Sequence, residues 1–346
     1  MRIAVTLAGP GPALPWHDVI TYVEEAERLG ADDAWSAEAW ARDAITPLAY
    51  LAARTSRIRL GTGILAVGTR TPAMTAMTAS TLCEISGGRF ALGLGASGPQ
   101  VIEGVHGFEF KGQLERLKET IDIARVVFRG DPLTYQGDHY ALPRPGGEAR
   151  RPLRVGIPCD PPAIYVGAMS PAGLRLTGAA ADGWLGHHFI PEAAAVYLDP
   201  LREGAKSAGR TLEDLDLQAG GWIEFGDDLE ALVDSRRAYL AFNLGAMGSA
   251  RKNFYNDVYV RAGFEDAALE IQKLWLSGKR DDARKAVPDE MVLQSQLIGD
   301  ESRLLERFAL FRSLGIDTIR LQPAGANVRE QVANLERAIS LVRSLD

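Results

Sequence analysis

The stretch IRLGTGILAVGTRTPAMTAMTASTLCEISGGRFALGLG, from Ile58 to Gly95, decides the fold. Its opening residues, Ile58–Gly61, form a short apolar run that predicts a strand. Thr71 followed by Pro72 predicts a capped helix start, with helix running on to about Ile85. Arg89–Leu94 predicts the next strand. A strand, a helix and a second strand in that order make a βα repeat, which calls for parallel strands joined by crossover helices.

The same rhythm extends in both directions. Upstream, Arg2–Leu7 reads as a strand and Asp18–Leu29 as a helix. That helix carries Val19, Ile20, Val23, Ala26 and Leu29 near helical spacing and stops at Gly30. Asp33–Ser36 is the next strand, and Thr46-Pro47 predicts an N-cap opening a helix to about Arg54. Downstream come helix Leu114–Phe128, strand Ala163–Val166, helix Pro171–Ala180 and strand Gly183–Leu185. Helix Glu192–Ala208, strand Asp216–Glu224 and helix Asp228–Phe242 follow. Helix Glu301–Leu314, strand Thr318–Leu321 and helix Val328–Leu345 complete eight units. Eight βα units predict an α/β fold closed as a (β/α)8 TIM barrel, with the whole chain 1–346 as one domain. Two stretches break the rhythm. Residues 133–162 hold Gly137-Asp138 between alternating residues, a small hairpin followed by a Pro/Gly/Arg loop. Residues 243–297 are too long for a plain connection and predict a helical insertion after strand seven.

Bulk properties exclude several classes. Hydrophobic residues make up 46% of the chain, enough for a large core, and 38 Lys+Arg against 45 Asp+Glu leave a net charge of −7. An acidic balance argues against nucleic-acid binding. It leaves room for a small anionic ligand held by backbone N–H groups. The two cysteines, Cys83 and Cys159, form no CxxC pair, and no histidine/carboxylate spacing suggests a metal site. Neither a signal peptide nor an apolar run of about 20 residues is evident, so no membrane span is expected and a cytoplasmic location is the default.

In a TIM barrel the chemistry sits at the C-terminal ends of the strands. Strand two exits into Glu38 and Trp40, read either as mouth residues or as a solvated carboxylate and a core aromatic. Strand three exits through Gly61 and Gly63 to Ile64 and Leu65, read either as a bulge or close backbone approach to a ligand or as a flexible strand exit. Strand four exits through Gly95 to Ser97, Pro99 and Gln100. Strand five leads through Gly167, Ala168 and Met169 to Ser170-Pro171, a helix start beside small residues that reads either as an ordinary capped helix or as a candidate anion site. On that reading Gly167→Glu would exclude an anion while leaving the ligand-free protein alone. Strand six ends at His187 and His188, which strand alternation would point opposite ways. The cluster from Arg251 to Asn256 reads either as a clamp for an anionic ligand or as a helix start.

Three segments together resemble a known family. They are Glu38 through Gly63, with Thr46–Thr55 and Arg59–Gly63; Thr71–Ala73 with Leu82–Phe90 and Leu92–Gly95; and Ile164–Ala168 with Ala181–Trp184. They resemble the luciferase-like monooxygenase superfamily and, within it, coenzyme F420-dependent oxidoreductases similar to methylenetetrahydromethanopterin reductase. The resemblance implies hydride transfer between F420 and a small organic substrate, in a protein that is commonly a homodimer. It implies a ring seat at a cis peptide Gly63-Ile64 and a phosphate at Gly167, Ala168, Met169 and Ser170, with Glu38, Leu65, Gly95, Ser97 and Gln100 around the coenzyme. Glu38, Trp40 and His187 are the candidates for catalysis. The sugar-phosphate dehydrogenases of the family carry an acidic residue and a histidine after strand two and a carboxylate beyond strand four. Here those places read Glu38-Ala39 and Gly98-Pro99-Gln100, so that acid–base pair is missing. The alternatives are an FMN-dependent monooxygenase of the same fold and a non-catalytic ligand-binding barrel.

Overall fold

The computed structural model describes residues 1–7, 14–38, 42–148, 151–157, 160–249 and 253–345. Eight strands form the barrel: β1 Arg2–Thr6, β2 Asp33–Ser36, β3 Arg59–Thr62, β4 Phe90–Gly95, β5 Ala163–Val166, β6 Gly183–Leu185, β7 Asp216–Phe225 and β8 Thr318–Pro323. Each pairs in parallel with its neighbours, and β8 closes the circle by pairing with both β7 and β1. The helices around it are α1 Trp16–Leu29, α2 Ile45–Ala52, α3 Pro72–Ile85, α4 Gln113–Phe128, α5 Pro171–Ala180, α6 Ala195–Ser207, α7 Leu229–Ala246, α8 Glu301–Ser313 and α9 Val328–Arg343. The fold is a (β/α)8 TIM barrel.

Local chemistry explains most element ends. Gly30 closes α1 at φ 88°, a conformation that glycine adopts at little cost. Thr71 caps α3 by accepting from the Met74 N–H at 3.3 Å. The expected Thr46 cap is corrected: α2 begins at Ile45, and the Asp43 carboxylate accepts from the N–H groups of Ile45 (3.0 Å) and Thr46 (2.7 Å). A charged acceptor two residues upstream outcompetes the threonine hydroxyl. The helix expected over 192–208 starts with a 3-10 turn, Pro191–Ala193, before α6.

The hairpin pairs Tyr135–Gln136 with Ala141–Leu142. It is pinned by the buried Glu119 carboxylate, which accepts from the N–H groups of Asp138, His139 and Tyr140. Between α7 and α8 lie helices Phe254–Tyr259, Glu265–Leu276, Arg280–Lys285 and Asp289–Ser295. One strand in this region was missed: Leu297–Gly299 pairs with the upper half of β7. Three buried residues give no alternation to read.

The barrel interior is a filled core. Ala4, Trp35, Ala91, Tyr165 and Leu185 pack inside it. The Trp35 ring takes the space that Gly61 leaves, since a Cβ at Gly61 would stand 2.3 Å from that ring. Beneath lies a polar floor. Arg59 forks onto Asp33 at 2.6 and 2.9 Å. The Tyr165 hydroxyl donates to Asp216 at 2.6 Å, and Gln218 donates to both Asp33 and Asp216 while accepting from the Trp35 indole. Arg2 adds a further ion pair to Asp216 at 2.9 Å.

Burial alone would raise the Asp216 pKa. The Tyr165 hydroxyl and Gln218 amide, with the charges of Arg2 and Arg59, outweigh it and hold the carboxyl below its ordinary value. The unfolded chain therefore takes up this proton first as pH falls. The stabilisation is present above about pH 4 and is lost as pH drops through the lower folded value. Asp216→Asn should lose about 3 kcal/mol at neutral pH and show a shallower acid limb below about pH 4. Urea unfolding at a series of pH values checks both; an unchanged midpoint at neutral pH would show that the floor is not held by this charge.

Candidate active site at the barrel mouth

The exits of β3, β4 and β5 converge on one side chain. Ile64 follows the Gly63–Ile64 peptide bond, which is cis. A Cβ at Gly95 would lie 2.9 Å from Ile64 Cδ1, and a Cβ at Gly167 would lie 2.8 Å from Ile64 Cγ2. Ile64 is thus wedged between two glycines that only stay clear of it by having no side chain. The Gly167 N–H donates to the Leu94 carbonyl at 2.9 Å, tying the strand-five loop to β4. Gly63, Ile64, Gly95 and Gly167 therefore come together at the mouth. Leu65 is buried beneath them, in the short strand Leu65–Ala66 beside β4. This overturns the expectation for Gly167→Glu: a side chain there strikes Ile64 whether or not a ligand is present.

The strand-five loop has its polar groups sorted. The Ala168 carbonyl accepts from the Trp184 indole at 2.9 Å, and the Met169 carbonyl accepts from Arg261 at 2.6 Å. Ser170 caps α5 by accepting from the Gly173 N–H at 3.2 Å. The N–H groups of Ala168, Met169 and Ser170 meet no acceptor among the described residues. All three residues are partly exposed. Consecutive N–H groups without acceptors, beside a helix start, form a nest for an anion. The helix itself contributes less than its start suggested, because Pro171 has no N–H and the Gly173 N–H is taken by Ser170. Arg261 was missed by sequence reasoning. It lies in the insertion, where the run Val258–Phe264 carries nothing that points to a strand ninety residues upstream.

On the β2–β3 side, Glu38 pairs with Arg70 at 2.9 Å. Glu38 Oε2 and Arg70 Nε are both buried without a partner. Trp40 lies outside the described residues. Ser97 sits at φ 57°. Gln100 is exposed, and its amide donates to the Ala246 and Gly248 carbonyls, bridging the strand-four exit to the end of α7.

Opposite lies an aromatic wall. His187 and His188 do not simply alternate, because β6 ends at Leu185 and His188 takes φ 51°. Their rings lie 4.5 Å apart, and both set an edge against Tyr255. His188 is buried, stacks on Tyr239 and has Nδ1 3.1 Å from the Tyr259 hydroxyl. Burial lowers its pKa to about 3. His187 is open to the mouth but deep within the surrounding protein. That desolvation, then His188 and Arg320, hold its pKa well below the ordinary value. Both imidazoles are neutral at neutral pH. In the cluster after Ala250, Arg251 and Lys252 lie outside the described residues. Asn253 caps the helix Phe254–Tyr259 and donates to the Asn243 and Leu244 carbonyls, stapling the insertion to α7.

Comparisons with known proteins place the chain in a family. Residues 2–318 match the model of the luciferase-like monooxygenase family, and the chain belongs to that family. A Mycobacterium tuberculosis protein assigned as a coenzyme F420-dependent oxidoreductase is 39% identical over 97% of this chain and 98% of its own. The 5,10-methylenetetrahydromethanopterin reductase of Methanolobus tindarius is 33% identical over 67% of this chain and 68% of its own. The solved structure of the F420-dependent tetrahydromethanopterin reductase of Methanopyrus kandleri superposes with a TM-score of 0.78 at 22% identity, covering 99% of this chain and 96% of that one. No described helix is long and apolar enough to cross a membrane.

A buried histidine with a depressed pKa has a definite linkage. Its neutral form contributes stability above the unfolded value of about 6.5, and that stability drains away as pH falls toward the folded value. His188→Asn, which tolerates the positive φ, should remove up to about 1.4 kcal/mol per pH unit from the slope of stability between roughly pH 6 and pH 4.5. Equal slopes for the two proteins would mean that His188 titrates normally.

Proposed function

We propose that the chain is an oxidoreductase that moves a hydride between the deazaflavin coenzyme F420 and a small organic substrate. The observation that carries this reading is the row of acceptor-free N–H groups at Ala168, Met169 and Ser170 beside Arg261, at the edge of a seat formed by Ile64. The F420-dependent names of the relatives support it. The residues fit such a coenzyme. The nest and Arg261 would hold a phosphate, and Gly63, Ile64, Leu65 and Gly95 would back the ring. The unpartnered Glu38 Oε2 and Arg70 Nε offer an acceptor and a donor to an amide-like ring edge, with Ser97 and Gln100 at the rim. When bound, the deazaflavin supplies a carbon-centred hydride and two-electron chemistry. This chain's own part is to orient the ring, to exclude water and to place neutral His187 where it can give or accept a proton. The single-domain organisation over 1–346, a homodimer and a cytoplasmic location belong to the same reading.

Equilibrium titration with F420 and FMN side by side is the test. F420 should bind at least tenfold tighter, about 1.4 kcal/mol; tight FMN binding with no response to F420 would overturn the assignment in favour of a flavin monooxygenase.

Arg261 gives a separate expectation. Arg261→Gln keeps a hydrogen-bond donor for the Met169 carbonyl but removes the charge. It should weaken F420 binding about tenfold, the size of a charged hydrogen bond, and flatten the salt dependence of binding. The same affinity and salt slope in the variant would place the phosphate away from this loop.

A further inference from the structure

Beside the aromatic wall lies a partly buried cation, Arg320, with no carboxylate partner among the described residues. Arg320 lies in the middle of β8, between Ile319 and Leu321, which pack into the outer core. Strand alternation therefore turns Arg320 toward the barrel interior. Of its five N–H donors, one is used within the described residues, by a 2.7 Å bond to the Gly186 carbonyl at the exit of β6. Its Nε is buried without a partner.

Other arginines of the barrel are neutralised. Arg59 sits on Asp33 and Asp216, Arg125 on Asp182, and Arg236 on Glu224. Arg89, which also meets carbonyls, uses its donors to close the end of α2 on Ala52, Thr55 and Ile58. Among the described residues Arg320 meets neither a carboxylate nor a helix end. Burial lowers its pKa to about 10, leaving it charged at neutral pH. Around it stand neutral His187 and Tyr239, with Tyr255 against His187. A charge held partly out of water without a partner is costly, and a ligand that supplies the opposite charge offsets part of that cost.

We propose that Arg320 is the anchor of the substrate subsite, that the substrate class is a planar organic acid, and that its carboxylate lies on the Arg320 guanidinium while its body packs among His187, Tyr239 and Tyr255. The guanidinium fork matches a carboxylate in two parallel bonds, and aromatic edges suit a flat, conjugated body. The inference rests on the reading of the mouth as the reaction site and deepens it by naming what the second reactant carries. Arg320 binds and positions; no covalent step is assigned to it.

The test uses the full chain and two probes of the same shape, benzoate and benzamide, by isothermal titration at pH 7.5. Benzoate should bind at least tenfold tighter than benzamide to the unaltered protein. In Arg320→Met, which keeps the apolar stem, the preference should shrink to threefold or less, while thermal unfolding stays at or above that of the unaltered protein. Equal binding of the two probes, no binding of either up to their solubility, or a preference that survives Arg320→Met would each overturn the inference. The comparison in the unaltered protein needs no variant to fold. F420 titration of the same preparation separates the two claims: F420 binding without a benzoate preference removes this inference alone, whereas failure to bind F420 removes the proposed function.

Discussion

The mouth of the barrel depends on one steric fact, the lodging of Ile64 between Gly95 and Gly167. Both would-be Cβ positions lie within 3 Å of the Ile64 side chain, a separation at which atoms of this kind repel steeply. The absence of two side chains lets the exits of β3, β4 and β5 close to a common point. That closure shapes the mouth and fixes where the strand-five loop must run. The Ala168 and Met169 carbonyls are then taken by Trp184 and Arg261, and the N–H groups of Ala168, Met169 and Ser170 are left without an acceptor among the described residues. Any side chain at position 95 or 167 would open the convergence and move everything built upon it.

Much of this architecture was legible in the sequence, for physical reasons that differ by element. The strands buried on both faces announced themselves as short apolar runs, and Thr71-Pro72 and Ser170-Pro171 marked helix starts because few other pairs satisfy a first turn so directly. The glycines at 61, 63, 95 and 167 were visible as places where backbone and ligand could approach. What filled the space, Trp35 at one end and Ile64 at the other, was not, since occupancy is settled by residues distant in sequence. The Thr46 cap was misread because a carboxylate, Asp43, stood three residues earlier. The strand Leu297–Gly299 was too short to carry a pattern.

The electrostatics of the mouth were the least legible part. Nothing in the local sequence says that Arg261 reaches back to the Met169 carbonyl, or that Arg320 faces the barrel with one hydrogen bond. Histidines side by side suggested opposite orientations, but the left-handed backbone at His188 brings both rings to Tyr255. The result is a divided site. One wall offers small residues and backbone N–H groups, suited to a ring and an anion. The other offers neutral imidazoles, tyrosines and an uncompensated guanidinium. An acidic protein thus keeps two arginines at strand exits of the barrel, Arg261 on the Met169 carbonyl and Arg320 on the Gly186 carbonyl.

The most direct measurement is a crystal structure of the protein soaked with F420. The account predicts the phosphate within hydrogen-bond distance of the Ala168, Met169 and Ser170 N–H groups, with the deazaflavin ring resting against Ile64 and its free face turned toward His187 and Arg320. A phosphate bound elsewhere, or a ring lying on the histidine wall with Ile64 uncovered, would contradict it.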